Sequence, residues 1–174
     1  MAEVIKYGVI WDKELLAYIE DNLGQIRALD EKALGEIVLR SAQIKARVVE
    51  IDERDMGLRA ILNYGHTVGH AIETVSDFTV RHGQAVAIGM VISGRISKRL
   101  GFFTSDAQVR LEQLLRRVGL PTELPDLNID KVIQAMGHDK KILHGRVRFV
   151  LPKSIGEVFV SDEVPRREGY VHQR

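Results

Sequence analysis

The stretch GLRAILNYGHTVGHAIETVSDFTVRH, from Gly57 to His82, constrains this chain more than any other. Its spacing predicts one helix from about Leu58 to Val75. Leu58, Ile61, Leu62, Gly65, Val68, Gly69 and Ile72 then share one stripe of the 3.6-residue period, and every one of them is apolar or glycine. The opposite row is Arg59, Asn63, His66, His70 and Glu73. A solvated helix face carries mostly Lys and Glu. Two imidazoles four residues apart, beside an amide, a guanidinium and a carboxylate, instead make a candidate metal or anion site. Histidines in such a row also serve as polar core residues satisfied by hydrogen bonds, so the metal reading needs donors from elsewhere in the chain.

Composition narrows which donors are available. There is no cysteine, so thiolate sites and disulfides are excluded, and a metal has only His, Asp and Glu to bind. Lys and Arg number 25 against 24 Asp and Glu, a net charge of +1, so no global field draws nucleic acid or an acidic membrane and any anion binding must be local. With 174 residues, 45% of them hydrophobic, the chain is long enough for one domain with a substantial core. Its longest strongly apolar run, Ala85 to Ile92, falls far short of the roughly 20 residues that span a bilayer, and no signal peptide precedes the first helix. The expectation is a soluble protein of the reducing cytoplasm, with neither nucleic acid nor membrane as partner.

Helical spacing recurs along most of the chain. The N-terminus begins abruptly inside a helix, with Glu3 and Lys6 one turn apart and no capping residue before them, as if something once preceded it. Asp12 caps a second helix to about Leu23, which Gly24 helps to end. A long pattern from Asp30 to about Asp52 gathers Leu34, Ile37, Val38, Ser41, Lys45, Val48 and Val49 on one side. Lys45 projects within about 20° of Leu34 and Val38, which aims its ammonium at a ligand or lets it snorkel past the stripe. From His82 to about Leu100 runs a helix that is apolar all round between Ala85 and Ile92, and therefore central. Further helices are expected from Ser105 to Val118, stopped by Gly119 and Pro121, and from Asp130 to Met136. RVRFVLPKSIGEVFV, Arg146 to Val160, reads as a two-stranded hairpin, and the polar tail after it as loose. The predicted class is mainly α, a multi-helix domain with a small β-hairpin near the C-terminus. Neither GxGxxG nor GxxxxGK[ST] occurs, so no nucleotide fold is recognisable.

His66 and His70 share a helix face, and antiparallel packing of the next helix brings His82 close. A carboxylate, Glu3 or Glu73, would complete a His/carboxylate set with one position open for a substrate oxygen. HTVGH lacks the glutamate after its first histidine that a zinc protease uses as general base, which argues against proteolysis. Around these residues stand Arg59, Asn63, Lys45, Lys6 and the Lys140, Lys141 pair, a set suited to a substrate bearing both a carboxylate and a phosphate.

AEVIKYGVI at Ala2 to Ile10, DERDMGLRAILNYGHTVGHAIE at Asp52 to Glu73, HGQAVAIGM at His82 to Met90 and DKK at Asp139 to Lys141 together closely resemble 3-dehydroquinate synthase, in order and over nearly the whole chain. The part resembled is that family's C-terminal, mainly helical domain; the NAD-binding N-terminal α/β domain is missing from this sequence. The resemblance implies an enzyme of the shikimate pathway, a lyase turning 3-deoxy-D-arabino-heptulosonate 7-phosphate into 3-dehydroquinate with NAD and a divalent metal, Zn2+ or another such as Co2+. Carried over by position, it implies Glu3, His66 and His82 as metal ligands. It moves His70 to a substrate role, places Lys45 and Arg59 on the substrate carboxylate, puts Asn63, His70 and one of Lys140 or Lys141 near the phosphate, and gives Lys6 a further substrate oxygen. Glu73 is left behind the ligands or on the surface. The chain alone is expected to be inactive, with the missing NAD domain and a second copy of itself as possible protein partners.

Two departures stand out. The family usually has His-Gly-Glu where this chain has His82-Gly83-Gln84, and the tail lacks a final apolar helix. The competing readings are a domain of another sugar-phosphate cyclase or of a metal-dependent polyol dehydrogenase, and a non-catalytic helical module that binds metal or a partner.

Overall fold

The chain is arranged around helix α6, His82–Arg99, in a computed structural model that describes residues 1–52, 57–137 and 147–164. Ala85 to Val91 are all buried, so α6 has no solvent face along that stretch. Two apolar clusters meet on it. Val86, Ala87, Met90 and Val91 pack with α1 (Ala2–Ile10), α2 (Lys13–Asp21), α4 (Glu31–Ile51) and α7 (Ser105–Arg117). Ala85, Ile88 and Ile96 pack with α5 (His66–Val75), α8 (Ile129–Met136) and strand β1 (Phe149–Ser154). Each large side chain so buried contributes roughly 1.5–3 kcal/mol. That exceeds the roughly 0–1 kcal/mol of an exposed ion pair, so packing on α6, more than surface charge, sets where the other helices lie. The expected class is observed: mainly helical, with an antiparallel hairpin of β1 and β2 (Glu157–Ser161) that pairs Val150 with Val160 and turns at Gly156, φ 93°.

Local chemistry explains half of the α-helix starts. Asp12, Asp30, Thr104 and Asn128 each accept a backbone N–H through their side chains at the first turns of α2, α4, α7 and α8. Asp12 also receives Arg40 of α4 in a fork, with Nη2 at 2.8 and 2.6 Å from its two carboxylate oxygens. Gly24 does not end the second helix as expected. The chain turns at Asn22, and Gly24 lies inside a short helix α3, Leu23–Arg27.

Two larger expectations are corrected. The single helix from Leu58 to Val75 is in fact a 3-10 turn, Leu58–Asn63, followed by α5. Gly65 separates them in the left-handed region, φ 78°, and its carbonyl lies against Gly89 so closely that no side chain fits there. The 3.6-residue row of Arg59, Asn63, His66, His70 and Glu73 is therefore broken after Asn63.

On α4 the buried residues are Ala33, Ile37, Ile44 and Val48. Lys45 follows Ile44 by one residue, about 100° around the helix, and is exposed, as is Val38 at 62%. The stripe predicted from Leu34 and Val38 is thus rotated, and Lys45 does not lie along a buried face. Among the described residues no helix is long and apolar enough to cross a membrane.

Candidate metal centre

Three elements converge where α1 passes the starts of α5 and α6. Glu3 stands in the first turn of α1, His66 is the first residue of α5 and His82 the first of α6. Glu3 Oε1 lies 3.4 Å from His66 Nε2 and 3.8 Å from His82 Nε2. The break at Gly65 is what turns His66 toward α1.

The tautomers follow from the partners. His66 Nδ1 is 3.1 Å from the carbonyl oxygen of Tyr64, which only accepts, so Nδ1 carries the proton and Nε2 presents its lone pair to Glu3. His82 Nδ1 is 3.1 Å from Glu73 Oε1, again an acceptor, so its Nε2 also presents a lone pair to Glu3. Glu3 Oε1 is buried and accepts no hydrogen bond. Three lone-pair donors thus face one another, an arrangement that is repulsive until a cation stands between them. A tetrahedral ion with bonds of about 2.0–2.1 Å separates its ligand atoms by about 3.4 Å, close to the spacing seen. Two nitrogens, one carboxylate oxygen and no thiolate fit a divalent metal with a position left open, so the donor set suits the group its spacing predicted.

The other oxygen of Glu3 accepts from Lys6 Nζ at 2.6 Å, and Nζ also donates to the carbonyl of Leu62 at 2.9 Å. Lys6 is 3% exposed, so this ammonium is buried against its partners. Burial raises the pKa of Glu3, but the Lys6 ammonium outweighs it and holds the carboxyl below its ordinary value. Glu3 Oε1 makes no hydrogen bond to His66, which leaves Lys6 as the group that secures the anion.

The remaining predicted residues are distributed unevenly. His70 is exposed beside the triad, its ring 5.4 Å edge-on from that of His66 and stacked 6.3 Å from that of His82. Arg59, exposed, and Asn63, half-buried, sit on the 3-10 turn. The backbone N–H groups of Arg59 and Gly57 are pinned by Asp52 Oδ2 at 2.8 and 2.9 Å. Lys45 is exposed on α4, and Lys140 and Lys141 lie outside the described residues. Gln84, where a glutamate was expected, accepts the backbone N–H of Arg81 through Oε1 at 3.2 Å, so the amide keeps the contact at the start of α6 that a carboxylate would make. The sequence gives Glu73 no specific role, only a place behind the ligands or on the surface. Its position three residues after His70 on the polar row was the available signal, but its meeting with His82 depends on how α5 packs on α6.

A family model described as 3-dehydroquinate synthase C-terminal matches residues 1–142. The chain belongs to that family. Among curated relatives, the 3-dehydroquinate synthase of Nostoc punctiforme is 52% identical over 169 residues, covering 95% of this chain and 47% of the relative. That of Rippkaea orientalis is 49% identical over 168 residues, covering 94% and 46%. The chain thus spans about half the length of these relatives. Two solved structures share its fold at 24% identity. One is 2-epi-5-epi-valiolone synthase from Streptomyces hygroscopicus subsp. jinggangensis with NAD+ and Zn2+ bound, at TM-score 0.86 over 96% of this chain and 47% of that one. The other is 2-deoxy-scyllo-inosose synthase with carbaglucose-6-phosphate, NAD+ and Co2+, at TM-score 0.80 over 94% and 46%. These likenesses establish the helical fold of the 3-dehydroquinate synthase C-terminal family for this chain; its ligands and chemistry are argued from its own residues.

Proposed function

We propose that this chain is the metal- and substrate-holding part of a 3-dehydroquinate synthase, a lyase of the shikimate pathway acting on 3-deoxy-D-arabino-heptulosonate 7-phosphate. The observation that carries the reading is the convergence of the orphaned Glu3 Oε1 on the Nε2 atoms of His66 and His82. When bound there, a divalent ion such as Zn2+ or Co2+ supplies Lewis acidity toward substrate oxygens.

The chain's own groups divide the remaining work. Glu3, His66 and His82 hold the ion. Lys6 fixes Glu3 through one N–H and Leu62 through another, leaving a third for a substrate oxygen. His70 presents an exposed imidazole next to the triad, able to accept or give a proton at the substrate. Arg59 and Asn63 on the 3-10 turn, with Lys45 and one of Lys140 or Lys141, answer the carboxylate and phosphate of the substrate. The relatives are about twice as long, and on this reading NAD binding falls mainly to the length that this chain does not span.

A second reading, a domain of another sugar-phosphate cyclase, draws on the fold shared with the valiolone and scyllo-inosose synthases. Turnover by a full-length version, with each candidate sugar phosphate in parallel, separates the two. The primary reading requires 3-dehydroquinate from the heptulosonate phosphate, and preference for a different sugar phosphate overturns it. Metal analysis of the purified 174-residue chain tests the site itself, with about one divalent ion per chain expected. The isolated chain supplied with NAD is expected to make no 3-dehydroquinate; a normal rate refutes its dependence on a second domain.

A further inference from the structure

We propose that Glu73 is the positioning residue of this metal centre: it holds the His82 ring so that Nε2, and not Nδ1, faces Glu3. The inference rests on the metal reading above and adds a residue that the reading does not need.

His82 opens α6 and its side chain is 50% exposed, so packing alone leaves the ring free to turn. Glu73, on the last turns of α5 and only 13% exposed at its side chain, meets Nδ1 at 3.1 Å. A carboxylate accepting the Nδ1 proton fixes the tautomer, aims the other nitrogen and raises its basicity. His66 is oriented in the same sense by the carbonyl of Tyr64. The centre therefore has one histidine oriented by backbone and one by a carboxylate.

The same geometry raises a competing assignment. His70, Glu73 and His82 form a second donor set whose ligand atoms lie within 4.8 Å of one another, as do those of Glu3, His66 and His82. Both sets use His82, and a neutral imidazole has one lone pair to give. The carboxylates decide between them. Glu3 Oε1 is buried with no hydrogen bond, whereas Glu73 Oε1 already faces the protonated Nδ1. The ion belongs on the Glu3 side, and Glu73 acts on it through His82.

Titration of the 174-residue chain with Co2+ at fixed pH, followed by visible absorption and calorimetry, tests this. The unsubstituted chain should bind one ion per chain. Glu73→Ala should weaken binding about 10- to 100-fold and shift the absorption bands. Glu73→Gln, whose amide oxygen still accepts from Nδ1, should lose less affinity and keep the bands. Circular dichroism should be unchanged in both, and if Glu73→Ala does not fold, the Glu73→Gln titration carries the test through an affinity between wild type and Glu3→Gln. Wild-type affinity and spectrum in both Glu73 variants overturn the positioning role while the triad stands. Two ions per chain, one of them lost in both Glu73→Ala and His70→Ala, overturn it by making Glu73 a ligand. Unchanged binding in Glu3→Gln, or no binding by the unsubstituted chain, sinks the triad reading and the inference with it.

Discussion

The carbonyl oxygen of Gly65 occupies the space that a side chain on Gly89 would need, so the link that delivers His66 and the central helix α6 touch backbone to backbone. Neither partner is a flexible side-chain end, so a methyl group there can be admitted only by moving α5 and α6 apart. Gly89→Ala should cost at least about 1–3 kcal/mol, the usual cost of overpacking, and lower the melting temperature by several degrees. It should also weaken metal binding, because His66 follows Gly65 directly. Gly24→Ala, where a Cβ meets nothing within 4 Å, is the matched control and should melt at or above the wild-type temperature. Equal melting of Gly89→Ala and wild type would show that the crossing can relax.

The two histidines of α5 should separate sharply by role. His66 gives Nε2 to the triad, while His70 is exposed beside it. His66→Ala, His82→Ala and Glu3→Gln should each abolish stoichiometric Zn2+ binding in competition with a chromogenic chelator, and His70→Ala should leave it within a few-fold of wild type. Loss in all four variants returns His70 to the ion.

The reach of the sequence can be judged residue by residue. Helix existence, the cap at Asp12, the all-round apolar α6 and the hairpin turning at Gly156 were legible because each depends on local chemistry or on periodicity within one element. His66 and His70 were legible as a pair for the same reason. Glu3 and His82 are candidate donors by residue type, but their meeting with His66 is long-range, and only resemblance to a family singles out Glu3 over Glu73. Two misreadings share one cause. Gly65 looks like a small residue on an apolar stripe, and Val38 like a core residue on α4. Periodicity does not reveal that Gly89 lies against the first, or that the core takes Ala33 and Ile44 in place of the second.

Asp12 serves two elements at once, capping α2 through Leu15 N at 2.9 Å and receiving the Arg40 fork from α4. Both side chains are less than a quarter exposed. Asp12→Ala should therefore cost more than the roughly 1 kcal/mol of a lost cap alone, and Arg40→Ala less than Asp12→Ala. Asp12→Asn keeps a capping oxygen but not the charge, and should fall between wild type and Asp12→Ala. Urea denaturation of the single variants and of Asp12→Ala with Arg40→Ala measures the coupling between the pair. Purely additive losses would reduce the Arg40 fork to a surface contact.

Glu3 gives the metal-free protein an acid dependence whose sign is fixed by Lys6. Burial raises the carboxyl pKa, and the Lys6 ammonium outweighs it, so the folded-state value lies below the ordinary 4.5. A depressed carboxyl stabilises the fold above its unfolded value, and that contribution fades as pH falls below about 4.5. In the presence of a chelator, wild type should thus exceed Glu3→Gln in urea stability at pH 6, where the variant leaves the buried Lys6 ammonium facing a neutral amide. The gap should narrow steadily below about pH 4.5. Because the Glu3 side chain is 42% exposed, added salt should also shrink the gap at pH 6. A gap that stays constant down to pH 2 would mean that the difference comes from packing of the amide, and that the Lys6 pairing is not what holds Glu3 ionised.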